Sequence, residues 1–110
     1  MSESVEIYVQ NVIRDSRGDV VVVGIPNNQR SLKVGDVLTL RYEVSQEDVL
    51  KATPDPQRLN EAAISLTVTK IEAHRREVEE LDYRTGAAGG LHLSGTGLEL
   101  VTPRCFLRTA

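Results

Sequence analysis

Leu32-Lys33-Val34-Gly35-Asp36-Val37-Leu38-Thr39-Leu40 reads as a turn that delivers the backbone into a strand. Val34 can pack beneath the turn, Gly35 takes a positive φ at little steric cost, and Asp36 can accept from backbone amides just before the strand resumes. Beyond the turn, Leu38, Leu40, Tyr42 and Val44 fall on one face, and Thr39, Arg41 and Glu43 on the other. That alternation predicts a half-buried antiparallel strand with one wet side.

Toward the N-terminus, Val5, Ile7 and Val9 alternate with Glu6, Tyr8 and Gln10, and Arg14-Asp15-Ser16-Arg17-Gly18-Asp19 is a run of turn formers. Four consecutive valines follow, Val20 to Val23. Branched at Cβ, they are stiff at χ1 and favour strands, and the unbroken run predicts burial on both faces. Pro26-Asn27-Asn28 stops it, so residues 5 to 44 read as three antiparallel strands joined by short turns.

The pattern breaks at Ser45. Ser45-Gln46-Glu47-Asp48 has the form of a capping box, Val49, Leu50 and Ala52 continue one or two helical turns, and Thr53-Pro54-Asp55-Pro56 ends them. Residues 45 to 62 are expected to be an exposed insertion with a short helix and a second short turn around Gln57 to Ala62. Ile64, Leu66 and Val68 then restore strand alternation, with Ile71 out of phase as a β-bulge would make it. Ile71, His74, Val78 and Leu81 match a helix about as well as His74-Arg75-Arg76-Glu77 matches a hairpin turn. Gly86 to Gly90 reads as a turn, Leu91 and Leu93 as a strand, and Leu98 to Leu107 as one or two more. Short strands at hairpin spacing, without a βαβ rhythm, predict an all-β protein: a six-stranded antiparallel closed β-barrel. Val21, Val23, Leu38, Leu40, Leu66, Val68, Leu91 and Leu93 are the expected core.

Composition agrees with one domain spanning residues 1–110. The hydrophobic share is 40%, and with only four aromatics the core must be built of Val, Leu and Ile. A net charge of −3 gives no global attraction to phosphate backbones or anionic membranes. No apolar run approaches the roughly 20 residues that cross a bilayer. The one cysteine forms no internal disulfide, and Met-Ser-Glu-Ser-Val-Glu lacks the regions of a secretory signal; a cytoplasmic protein is expected.

Arg17-Gly18-Asp19-Val20-Val21-Val22-Val23-Gly24, then Leu32-Lys33-Val34-Gly35-Asp36, resembles the opening of the second domain of translational GTPases, the elongation factor Tu type. Val68-Thr69-Lys70-Ile71-Glu72, Val78-Glu79-Glu80-Leu81, Gly86 and Gly90-Leu91-His92-Leu93-Ser94-Gly95 follow the order of that family. The resemblance covers most of residues 5 to 107 and implies a translation-factor barrel. It also implies a role for Glu72, which matches a polar position the family uses near the aminoacyl end of transfer RNA. The chain differs from the family at Gly86-Ala87-Ala88, at Pro103-Arg104 and in the length of residues 45 to 62.

The chemistry-bearing residues are sparse. No Gly-x-x-x-x-Gly-Lys-Ser/Thr loop occurs, so nucleotide hydrolysis is not expected. His74, His92 and Cys105 stand singly, without the close ligand pairs of a zinc site, and no metal or other cofactor is expected. Cys105 beside Phe106 reads as a small core residue. Without a base and nucleophile or metal constellation, the chain is expected to be a non-enzymatic stand-alone binding module whose partner is another protein. The alternative is an RNA-binding accessory protein of translation. Arg14, Arg17, Arg30, Lys33 and Arg41 would be its cations, but Tyr8 and Tyr42 supply few stacking faces. The partner surface is placed on Val49, Leu50 and Leu59 of the insertion, with Glu72, Arg75, Arg76 and Glu77 as a polar rim. The competing expectation is that Val49, Leu50 and Leu59 fold back to plug one end of the barrel.

Overall fold

Nine strands and one short α-helix follow one another along the described residues of the computed structural model, which are residues 4–14 and 16–110. They are β1 (Glu6–Arg14), β2 (Val20–Pro26), β3 (Leu32–Lys33), β4 (Val37–Glu43), α1 (Gln46–Leu50), β5 (Leu59–Ala73), β6 (Arg76–Val78), β7 (Glu80–Leu81), β8 (Gly89–Thr96) and β9 (Phe106–Thr109). Asp15 of the first turn and Met1, Ser2 and Glu3 of the N-terminal stretch lie outside the described residues.

Six of the strands close a barrel. The order is β4-β9-β1-β2-β8-β5, every neighbouring pair is antiparallel, and β5 pairs with β4 to complete the ring. Closure removes the exposed sheet edges that an open sheet would present. β6 extends the sheet as a hairpin on β5, while β3 and β7 form a separate two-stranded pair. β1 and β2 are the expected hairpin, but the third segment does not lie beside β2: its neighbours are β5 and β9.

The turn before β4 behaves as its residues predict. Gly35 has φ of 98°, Val34 packs on the core, and the Lys33 amide donates to Asp36 Oδ2 at 2.8 Å. The Gly35 amide donates to the Val68 carbonyl at 2.8 Å, and the Val68 amide to the Asp36 carbonyl at 2.9 Å, so the turn is docked on β5. Leu38, Leu66, Val68 and Leu91 are fully buried and Leu93 nearly so. Each such side chain contributes about 1.5–3 kcal/mol of burial.

Three of the expected core residues face the other way. Val22, not Val21 or Val23, is the wholly buried valine of β2, opposite the equally buried Leu91. Val21 and Val23 are half-buried on the outer face, where a Cβ on Gly90 would lie 3.1 Å from Val21 Cγ1, so the valine covers a glycine of β8. Leu40 is displaced by a bulge: the register of β4 shifts between Leu38 and Leu40 against both of its neighbours. One extra residue reverses the alternation. Leu38 therefore faces the core, whereas Arg41 pairs with buried Leu107 and points inward, and Tyr42 pairs with Phe106 and points outward. The expected bulge near Ile71 is present, between Val68 and Lys70, and it leaves both Val68 and Ile71 buried.

The ambiguous segment after Ile71 is a hairpin. Ala73 pairs with Arg76, and the two loop residues His74 and Arg75 have φ of 54° and 64°, the left-handed pair that a type I′ turn requires. Gln57 to Ala62 is not a second turn; β5 begins at Leu59, and Leu59 and Ala62 already pair with Glu43 and Arg41. Gly89 and Gly90 belong to β8 and not to a turn. The segment from Leu98 to Leu107 supplies one strand, preceded by a 3-10 turn at Leu98–Leu100. Among the described residues no helix is long and apolar enough to cross a membrane.

Candidate functional site

The insertion is built as its residues dictate. Ser45 caps α1, its Oγ accepting from the Asp48 amide at 3.2 Å, and Lys51 and Glu47 pair at 2.7 Å one turn apart. The Asp48 carboxylate is engaged elsewhere, accepting from the Thr53 hydroxyl at 3.2 Å. At its C-terminus the Ala52 amide donates to the Val49 carbonyl at 3.2 Å and the Thr53 amide to the Asp48 carbonyl at 3.0 Å, a Schellman motif with alanine at the left-handed position usual for glycine.

The helix buries none of its residues. Leu50 is 78% exposed, Val49 48% and Leu59 37%, so these three do not plug the barrel. The chain from Val44 to Arg58 instead lies along the outer wall and encloses a cleft of about 460 Å³ between itself and β1, β4 and β9. The floor of that cleft holds Tyr42 and Phe106, two members of a ladder of three rings. Tyr42 pairs with Phe106 and Phe106 with Tyr8 across β4, β9 and β1, on the face opposite wholly buried Ile7 and Leu107. Tyr42 and Phe106 are stacked with centroids 5.5 Å apart and 7° between planes, and Tyr8 meets Phe106 edge-on at 5.2 Å. Both Tyr42 and Phe106 are buried although they stand outside the barrel core, because the insertion covers them.

Polar groups fix the floor in place. The Tyr42 hydroxyl donates to Glu6 Oε2 in a short hydrogen bond, Arg108 Nη1 reaches the same oxygen at 3.0 Å, and Asn27 Nδ2 donates to Glu6 Oε1 at 2.7 Å. Burial, then the hydrogen bond to Glu6 and its charge, push the Tyr42 phenol up to about 12. The guanidinium of Arg58 lies over the Tyr42 ring, 4.7 Å from its centroid.

On the inner side of the same strand, Arg41 is 8% exposed and hydrogen-bonded at all three guanidinium nitrogens. Its Nε donates to the Leu100 carbonyl at 2.8 Å, Nη1 to Glu43 Oε2 at 2.6 Å and to the Asn60 carbonyl at 3.1 Å, and Nη2 to Thr102 Oγ1 at 2.9 Å. Hydrogen bonds from Arg41 and then Asn60 hold the Glu43 carboxyl below its usual range. Arg41 is thus a structural clamp.

The charged rim lies apart from the insertion. Leu59 begins β5, and Glu72 stands at its other end. The Leu59 end of β5 pairs with Glu43 of β4, whereas Glu72 pairs with Glu77 of β6 and Gly90 of β8. The structure therefore places Val49 beside the cleft and Glu72, Arg75, Arg76 and Glu77 around the β5–β6 hairpin, and does not bring the two groups together. Glu72 pairs with Lys70 at 3.0 Å, and Lys70 also lies 4.0 Å from Glu77. The Lys70 hydrogen bond and charge hold the Glu72 carboxyl down. His92 Nε2 lies 3.3 Å from Glu72 Oε1, off the line of a hydrogen bond, and is buried without one.

Of the other singled-out residues, His74 is exposed in its turn, and Cys105 is completely buried, with burial pushing its thiol up from the usual range. Among the described residues no three His, Cys, Asp or Glu side chains gather as a metal-binding group. Glu6, Tyr42, Arg58, Phe106 and Arg108 form the best-built constellation, and sequence reasoning missed it. The available signal was that three of the four aromatics, Tyr8, Tyr42 and Phe106, sit in segments read as strands. Comparison of the chain with protein-family models, with curated proteins and with solved structures finds no match.

Proposed function

We propose that this chain is a non-enzymatic binding module, similar to the β-barrel domain of translation elongation factors, that acts in the cytoplasm through contacts with another protein. The observation that carries this reading is the exposure of Leu50, 78% open to solvent on a helix that buries none of its residues. Apolar side chains at the crest of an insertion contribute nothing to the barrel core, and covering them by a partner recovers their burial energy. The closed barrel supports the elongation-factor likeness, and the buried thiol of Cys105 suits a reducing compartment.

The test is partner capture from the native cell with the wild-type chain and with Leu50→Ser/Leu59→Ser. The double variant is expected to keep the wild-type melting temperature and to lose the captured protein, at a level insensitive to moderate salt. A capture that survives the double substitution, or one that consists of RNA and falls steeply with salt, overturns the reading.

A further inference from the structure

The rings at the floor of the outer cleft are covered by a cation that belongs to the chain itself. Arg58 lies in the loop just ahead of β5, and among the described residues its guanidinium makes no ion pair or hydrogen bond; the contact 4.7 Å above the Tyr42 centroid is what seats it. Tyr42 is only 3% exposed beneath it. The ionised side chains lining the cleft are Glu6, Asp48, Asp55, Arg58 and Arg108. Arg108 neutralises Glu6 at 3.0 Å, so once Arg58 swings out the cleft holds an open aromatic face and the uncompensated carboxylates of Asp48 and Asp55. A ring quadrupole flanked by carboxylates attracts cations and repels anions.

We propose that this cleft is a binding site for an arginine side chain presented by a partner polypeptide, and that Arg58 is its resident occupant, displaced when the partner binds. The guanidinium class follows from the occupant: its planar group already lies over the ring, backed by the stacked Tyr42–Phe106 pair. Arg58 itself lines the cleft of about 460 Å³, and the room it vacates adds to that space for one incoming side chain with its apolar stem against Val44, Val49 and Pro56. The proposal deepens the protein-binding reading and rests on it for the source of the arginine, not for the site.

The experiment titrates the full chain with N-acetyl-arginine amide and, as a neutral isostere, N-acetyl-citrulline amide, following the ring protons of Tyr42 and of Phe106 by NMR. Arg58→Ala is expected to bind the arginine compound about fivefold more tightly than wild type. Adding Asp55→Asn to it should weaken binding about threefold. The citrulline compound should leave the rings unshifted. Equal binding by wild type and Arg58→Ala, equal binding of the two compounds, or unshifted rings in a folded Arg58→Ala protein each overturns the proposal. Should Arg58→Ala unfold, Arg58→Gln, which keeps a stem over Tyr42 without the charge, is judged by the same outcomes. Because the probe is a small molecule, a tightened Arg58→Ala titration alongside failed partner capture leaves the site standing and removes the protein-binding reading, and the converse result does the reverse.

Discussion

Arg41 Nε donates to the carbonyl oxygen of Leu100 at 2.8 Å, fastening the middle of the barrel to the turn that leads into β9. The same guanidinium holds the Asn60 carbonyl at the start of β5 and the Thr102 hydroxyl. Arg41→Met keeps a comparable apolar stem but leaves those acceptors without their donor. The expected loss is about 2–4 kcal/mol in urea denaturation. Arg41→Lys should recover less than half of it, because one ammonium cannot span acceptors arranged for a planar fork. A methionine variant as stable as wild type would show that the clamp is dispensable.

The Tyr42 hydroxyl gives a pH signature. Its folded value, near 12 against an ordinary 10.0, is raised chiefly by burial and then by Glu6, so the folded state holds the phenolic proton more tightly than the unfolded chain. The sign follows: this contribution is fully present below pH 10 and is lost as pH rises toward 12. Two pH units correspond to roughly 2–3 kcal/mol. Ultraviolet titration should resolve one tyrosinate near pH 12 that is missing in Tyr42→Phe, and the variant's stability should fall less steeply over that interval.

The difference between what the sequence discloses and what it conceals turns on the bulge in β4. Alternation correctly reads β1, β5 and β8 as strands, because a period of two is a local property of the chain; the valine run announces β2 by its Cβ branching, and Ser45, Gly35 and Asp36 announce their cap and turn by local chemistry as well. A bulge adds one residue without any mark in composition. Leu38, Leu40, Tyr42 and Val44 therefore look like one face, when the structure sends Leu38 inward and Tyr42 outward. The cleft was hidden for a second reason. Glu6, Tyr42 and Arg108 meet only because β9 inserts between β4 and β1, a pairing of distant segments that no local pattern encodes.

Ala52 offers a test of the covering loop. It occupies the left-handed position of the Schellman motif with φ of 50°, where a Cβ is crowded by the following carbonyl. Ala52→Gly is expected to stabilise the protein by about 0.5–1 kcal/mol, the relief of strain exceeding the added freedom of the unfolded chain. Thermal denaturation measures it, and a lower melting temperature would mean that the alanine methyl packs productively against the cleft.

The β5–β6 hairpin separates stability from recognition. His74 and Arg75 both hold positive φ in a two-residue turn, a conformation that Asn-Gly adopts at far less cost. His74→Asn/Arg75→Gly should therefore raise stability, by about 1–2 kcal/mol. It also removes the exposed cation of Arg75 from the proposed polar rim. If Arg75, Arg76 and Glu77 contact the partner, the variant melts higher and yet captures less of it, and Arg76→Glu, which leaves the turn residues unchanged, lowers capture with little effect on melting. If capture by both variants equals that of wild type, the hairpin is no part of the interface, and the partner surface contracts to Val49, Leu50, Leu59 and the cleft beside them.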